Sequence, residues 1–302
     1  MTGVTEEAEP MPSPENSQSA LQPGLYLTAT PIGHSRDITL RALDVLRACD
    51  LIVAEDTRVT AKLLAIHAIA KPLRAYNDHN AKTERPRLIA RLKEGARIAL
   101  VSDAGTPLVS DPGFKLVRVA LAEGIKVHAI PGASAVLAAL SIAGLPTDRF
   151  CFAGFPPSKH GERSTFFSEL KDLDATLVFY ESARRLTESL SDMAEIYGAR
   201  DACVARELTK FHEDVRRAPL ALLAQSFPEP PKGEVTVVVA PPDKRQPDWA
   251  KADKLLDSAL GFMPVRAAAE LVAEALGLSR RETYARALIQ KKRRDDNAPF
   301  EA

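Results

Sequence analysis

The stretch that most constrains this chain runs from Ile98 to Gly113 and reads IALVSDAGTPLVSDPG. Ile98 to Ser102 form a continuous apolar or small run bounded by turn formers, which predicts a buried parallel strand. Asp103, Gly105, Thr106 and Pro107 predict a loop at its carboxyl end. Asp111 as N-cap and Pro112 at the first helical position predict that the chain restarts as a helix, through to Glu123. In open α/β sheets ligands sit in such loops, although a plain connection can have the same composition.

The same pattern recurs on both sides. Gly24 to Ala29 predicts a strand, followed by the loop Thr30-Pro31-Ile32-Gly33 and a helix carrying Leu40, Leu43 and Leu46 at helical spacing. Leu51 to Ala54 is a second strand, ending in Glu55-Asp56-Thr57-Arg58. Four polar side chains at the end of a buried strand are costly unless they face a cleft or are paired; capping of the next helix by Asp56 is the competing reading. A weaker strand, Pro72 to Tyr76, leads into the polar cluster Asn77 to Asn80, which reads as a solvated turn. A helix is expected from Pro86 to Glu94. Lys126 to Ile130 is a strand ending in Pro131-Gly132-Ala133-Ser134-Ala135, whose small side chains permit close approach of a ligand or of a packed helix, Val136 to Ala143.

This alternation predicts a doubly wound α/β domain over residues 24–132. After Gly144-Leu145-Pro146 the links lengthen, and strands near Phe150 to Phe155, Thr176 to Glu181, Ala202 to Arg206 and Glu234 to Ala240 predict a second α/β domain over 133–242. Residues 243–249 form a linker, and 250–294 a helical segment. There Gly277-Leu278 and the capping box Ser279-Arg280-Arg281-Glu282 join two helices in the manner of a helix-turn-helix. Residues 295–302 are a tail. Residues 1–23 read as a disordered acidic tail, because the first 20 hold four Glu and no Lys or Arg.

Composition narrows the function. With 40 basic and 40 acidic residues the chain is not a globally basic nucleic-acid binder. Lys251 to Arg294, however, hold ten basic and five acidic residues, so polyanion contact is expected at that end, from Arg280, Arg281, Lys291, Lys292, Arg293 and Arg294. A solvated helical tail explains the same residues, since basic helix ends also suit the helix dipole. Three scattered cysteines predict neither disulfides nor zinc, and fit a reducing cytoplasm. No histidine pair at metal-ligand spacing occurs, and no apolar run is long enough to span a membrane. Neither G-x-x-x-x-G-K nor G-x-G-x-x-G is present, which excludes the usual phosphate cradles. The residues alone therefore reach a small-ligand enzyme of unspecified chemistry.

The ordered series TPIG at Thr30, AEDTR at Ala54, DHN at Asp78, SDAGTPLVSDPG at Ser102, PGASA at Pro131, FYES at Phe179, ARELTK at Ala205 and KGE at Lys232 resembles the bacterial small-subunit ribosomal RNA 2′-O-ribose methyltransferases of the tetrapyrrole-methylase superfamily. The resemblance covers Gly24 to Arg294. It implies a two-domain tetrapyrrole-methylase-like α/β fold with a C-terminal helix-turn-helix-like segment, and S-adenosylmethionine as cofactor. It also implies a homodimer, with 16S rRNA or the small ribosomal subunit as partner and no membrane or DNA partner. Methyl transfer to the ribose of a cytidine in the decoding region follows. Tetrapyrrole methylation and a non-catalytic role in ribosome assembly are the alternatives.

By the same resemblance, Pro31, Ala104, Gly105, Thr106, Val109, Ser134, Ala135, Tyr180, Glu181 and Leu208 are the cofactor-binding candidates. The catalytic candidates are Asp56 and Arg58. Asp56 matches a charged position facing the acceptor; from their place beside the inferred cleft, Asp56 is the expected proton acceptor or its orienter, and Arg58 is expected to position it or a phosphate. The chain departs from the family pattern at Ala29, where Pro is usual, at His34, where Asn is usual, and in its N-terminal extension.

Overall fold

The computed structural model describes residues 21–109, 113–243 and 249–296, with side chains through Arg294. Residues 1–20 of the expected acidic tail, the cap and first-turn roles of Asp111 and Pro112, most of the linker and residues 297–302 lie outside the described residues. Of the expected tails, Leu21 packs against the core around Leu46, and the last helix runs on to Asp296. The chain divides into two compact units, Met1–Pro241 and Pro242–Ala302.

The first unit holds two sheets. β1 (Gly24–Thr28), α1 (Leu40–Ala48), β2 (Leu51–Ala54), α2 (Thr57–Ile66), β3 (Leu73–Ala75), α3 (Ala81–Lys93), β4 (Arg97–Val101), α4 (Phe114–Ala122) and β5 (Val127–Ile130) build a sheet of order β3-β2-β4-β1-β5. All of its pairings are parallel. Helices cover both faces, so Ile98 to Val101 of β4 are at most 3% exposed and read as an unbroken apolar run. Asp50 and Arg97 pin the starts of β2 and β4, with Arg97 Nη2 2.5 Å from Asp50 Oδ1. The hydrogen bond from the Arg97 side chain holds the Asp50 carboxyl down at about 2.

α5 (Ala135–Ala143) follows and packs on the second sheet. That sheet comes from β6 (Phe150–Gly154), α6 (His160–Leu170), β7 (Thr176–Ser182), α7 (Leu186–Tyr197), β8 (Asp201–Arg206), β9 (Asp214–Pro219), α8 (Leu220–Gln225) and β10 (Glu234–Val239), in the order β6-β7-β10-β8-β9. It is mixed, because β10 runs antiparallel to β7 and β8, and β9 antiparallel to β8. A core of Val136, Ala139, Leu140, Val178, Cys203 and Val238 joins α5 to this sheet and takes in Ile32 from the loop after β1.

Two sequence expectations are corrected, and one strand goes unforeseen. Pro86 lies inside α3 instead of opening it, because Asn77 to Asn80 fold into a turn that starts the helix at Ala81. α4 begins at Phe114, behind Gly113 at φ 134°. β9 (DVRRAP) lacks an apolar pattern because it is an edge strand with Arg216 and Arg217 exposed.

The described residues of the second unit form three helices, α9 (Trp249–Ala259), α10 (Val265–Leu276) and α11 (Arg280–Asp296). They close around Ala252, Leu256, Ala268, Ala269, Val272 and Ala287. Gly277 at φ 63° ends α10, and Ser279 Oγ accepts the Glu282 N–H at 3.4 Å, one half of the capping box.

Candidate cofactor and acceptor site

Loops at the carboxyl ends of β1, β4 and β5 meet the ends of β7 and β10. Thr30 and Gly105 form an isolated antiparallel bridge, with Thr30 N–H donating to Gly105 O at 2.9 Å and Gly105 N–H to Thr30 O at 3.1 Å. Thr30 Oγ1 also donates to Ser102 O at 2.9 Å. The first loop therefore clips the loop after β4. Gly105 has φ +84°, and a Cβ there would stand 3.2 Å from Ile32 Cγ2 and 3.4 Å from Ala133 O, so only glycine lets these three segments close together. Thr106 Oγ1 donates to Ala133 O at 3.1 Å, and Ser134 caps α5.

These contacts enclose a cavity of about 340 Å³. Of the ten cofactor candidates, eight line it: Ala104, Gly105, Thr106, Val109, Ser134, Ala135, Tyr180 and Glu181. Pro31 lies instead on an adjoining cavity, and Leu208 is 8% exposed in the core shared by α5 and the second sheet. Sequence reasoning missed Phe155 and the β10 wall from Gly233 to Thr236. The KGE motif pointed to part of that wall; nothing local marked Phe155, which is 55% exposed and tilted against Tyr180 at 5.5 Å. The Glu181 carboxylate is committed within the protein: it accepts from Ser189 Oγ at 2.5 Å and Ser182 N at 2.7 Å and pairs with Arg185 at 2.9 Å. Its charge is therefore matched by Arg185.

The adjoining cavity, about 250 Å³, shares Ile32, Ala104 and Glu234 with the first and is also lined by Gly33, Val59, Thr60, Asp103 and Lys210. Asp103 Oδ1 accepts the Asp56 N–H at 3.0 Å, and its other oxygen has no hydrogen-bond partner among the described residues. Lys210 Nζ lies 2.8 Å from Glu207 Oε1 and 3.0 Å from Glu234 Oε2. Burial disfavours the ammonium, but the bonds to Glu207 and Glu234 outweigh it and raise its pKa.

Asp56 and Arg58 do not line either cavity. Asp56 caps α2, accepting the Arg58 N–H at 2.8 Å, and its carboxylate is gripped by the Arg58 guanidinium at 2.6 to 3.2 Å. The Arg58 side-chain bonds hold the Asp56 carboxyl at about 2. Both family departures fit locally. Ala29 Cβ stands 2.9 Å from where a Cβ on Gly132 would be, and His34 Nδ1 takes the capping role open to Asn, accepting the Arg36 N–H at 3.3 Å.

In the second unit Arg280, Arg281, Lys291, Lys292, Arg293 and Arg294 are all exposed. Arg294 is engaged: Nη1 donates to Asp257 O at 2.8 Å, tying α11 to α9. No group of side chains suited to a metal occurs among the described residues, and no helix there is long and apolar enough to cross a membrane.

Residues 24–224 match the family Tetrapyrrole (Corrin/Porphyrin) Methylases, and residues 246–291 match the RsmI C-terminal HTH domain. A ribosomal RNA small subunit methyltransferase I of Mesorhizobium japonicum is 49% identical over 90% of this chain and 93% of its own length. One of Pseudomonas aeruginosa is 45% identical over 87% and 96%. Among solved structures, a uroporphyrin-III C-methyltransferase of Thermus thermophilus aligns with TM-score 0.53 at 22% identity, over 71% of this chain and 93% of that one. A diphthine synthase aligns with TM-score 0.54 at 17% identity, over 72% and 89%. The chain belongs to the ribosomal RNA small subunit methyltransferase I family, built on the tetrapyrrole-methylase fold.

Proposed function

We propose that the 340 Å³ cavity holds S-adenosylmethionine and that the chain methylates the ribose 2′-hydroxyl of a cytidine in the decoding region of 16S rRNA, presented at the adjoining cavity. The observation that carries this reading is that eight of the ten residues implied by the family resemblance, drawn from three stretches of the sequence, line one cavity, in a chain so similar to small-subunit rRNA methyltransferases. The cavity fits the cofactor in size and chemistry. It lies in the range of small-molecule sites, offers backbone groups where Gly105 and Gly233 remove side chains, and presents the Tyr180 and Phe155 rings to a planar base. No phosphate grip is needed.

Bound S-adenosylmethionine supplies an electrophilic methyl group. The protein's part is to align the acceptor oxygen and receive its proton. Alignment of two bound reactants can supply effective molarities of about 10⁵ to 10⁸ M. Of the titratable groups on the adjoining cavity, Lys210 is protonated and Glu234 is paired with it, whereas Asp103 has a carboxylate oxygen without a protein partner among the described residues. Asp103 is thus the proton acceptor in this reading. Asp56 and Arg58 become orienting groups: a carboxyl held at about 2 accepts protons poorly at neutral pH, while its backbone N–H fixes Asp103.

Asp56→Asn keeps a good helix cap and releases Arg58. Expected are unchanged melting, unchanged cofactor affinity and a KM for RNA raised about threefold to tenfold, with kcat within about threefold. A kcat loss above 100-fold would transfer the proton-accepting role to Asp56, and wild-type values throughout would remove both residues from RNA handling.

A small-molecule acceptor is the weaker reading, because a porphyrinoid has no use for the basic helical unit. A homodimer working in the cytoplasm completes the proposal, and light scattering tests the dimer. Mapping ribose methylation on small-subunit RNA treated with the purified protein and labelled cofactor tests the activity: a single 2′-O-methylcytidine in the decoding region is expected. Label entering uroporphyrinogen instead, or none entering RNA, would overturn it.

A further inference from the structure

The turn that follows β8 is strained in a way the cofactor cavity does not explain. Glu207 has φ 51° and Thr209 φ 63°, left-handed values that are uncommon outside glycine and unusual for a β-branched residue. Such strain persists where the surroundings over-determine it, and it clusters at functional sites.

Here two glycines do so. A Cβ on Gly33 would fall 2.6 Å from both Lys210 Cγ and Thr209 Oγ1, and one on Gly233 would fall 2.4 Å from the Glu207 carboxyl. The His34 N–H donates to Thr209 Oγ1 at 3.0 Å, and the Thr209 N–H to Glu213 Oε2 at 2.7 Å. The loop after β1 and the start of β10 therefore clamp the turn from both sides.

The clamp fixes two side chains. Lys210 lines the adjoining cavity, with bonds to Glu207 and Glu234 using two of the three ammonium N–H groups. With Lys210 shared between Glu207 and Glu234, and Arg206 also acting on Glu207, little unpaired positive charge remains for a phosphate, and the third N–H suits a neutral hydroxyl. Phe211, the next residue, is 96% exposed, with its ring edge-on to His212 at 5.0 Å. The clamped turn thus carries an exposed aromatic ring on the residue next in sequence to a cavity-lining ammonium donor.

We propose that this turn is the grip on the acceptor nucleotide: the third Lys210 N–H donates to the ribose 2′-oxygen, and Phe211 stacks on an unpaired base of the RNA strand. Aromatic stacking is the usual way proteins hold splayed, single-stranded bases. The charge on Lys210 favours the oxygen as it becomes anionic, when the hydroxyl proton passes to Asp103, the new C–O bond forms and the methyl–sulfur bond breaks. This rests on the ribose-methylation reading above.

The test measures methyl transfer by the full chain to a decoding-region RNA, with cofactor affinity by calorimetry and thermal melting alongside. Phe211→Ala, at a site with almost no packing, is expected to melt as wild type and bind cofactor as wild type. Its KM for RNA should rise roughly 5- to 150-fold, the range of one base stack. Phe211→Trp should restore KM and Phe211→Leu should not. Lys210→Met should lower kcat at least tenfold at unchanged cofactor affinity, with partial rescue by Lys210→Arg.

An unchanged KM for Phe211→Ala would overturn the stacking role. A shift of that variant to a smaller species in light scattering would overturn it too, by assigning the ring to a second copy of the chain. Loss of cofactor binding in Lys210→Met would make the turn a prop for the first cavity. If the wild-type chain itself methylates no ribose, the underlying reading fails; if it does and these variants behave as wild type, only the present inference fails.

Discussion

Asp103→Asn is expected to lower kcat for methyl transfer roughly 10²- to 10⁴-fold, the range that a positioned general base contributes. Cofactor affinity and melting temperature should stay at wild-type values. The substitution is close to isosteric. Its amide oxygen can still accept the Asp56 N–H that Asp103 Oδ1 accepts at 3.0 Å, so the start of α2 keeps its anchor. What disappears is the second carboxylate oxygen on the adjoining cavity, replaced by an NH₂ group that cannot take a proton. Single-turnover rates against decoding-region RNA, with calorimetric cofactor binding as control, separate this from a binding defect. A loss below about fivefold would show that solvent removes the proton, and that alignment accounts for the protein's contribution.

Asp103 also shows where the sequence was legible and where it was not. Its loop could be placed at the end of a buried strand because β4, covered on both faces, leaves an uninterrupted apolar run. β2 is legible for the same reason. β9 is not, because its partly buried Val215 and Ala218 are separated by the exposed Arg216 and Arg217 of an edge strand and leave no apolar run or alternation, and Pro86 misled because the turn before it starts α3 upstream. In the site, small-residue loops after β4 and β5 announce themselves by composition, since close backbone approach needs Gly, Ala and Ser there. The roles of individual acids do not. Asp56 and Asp103 both follow strands that end in polar residues, and only the folded register turns Asp56 back onto Arg58 and leaves Asp103 on a cavity. Lys210 and Glu234 are 24 residues apart in the chain and meet only through β10 pairing with β8.

The second large effect concerns the helical unit. Replacing Arg280, Arg281, Lys292 and Arg293 together by Gln removes four exposed cations, while sparing Arg294, which ties α11 to α9, and Lys291, which has a partner of its own. The core of Ala252, Leu256, Ala269 and Val272 is untouched, so the unit should stay folded. Each phosphate contact with single-stranded RNA contributes about 0.7 to the slope of log affinity against log salt. If all four residues contact phosphates, the slope should flatten by roughly 3, and affinity at about 0.15 M salt should fall on the order of 100-fold. Because these contacts carry no sequence information, the methylated position should not change: slower methylation at the same nucleotide is the expected product pattern. RNA binding titrated at several salt concentrations decides the matter. A wild-type slope would mean that these exposed cations serve solubility, with Arg293 also suiting the dipole at the C-terminal end of α11.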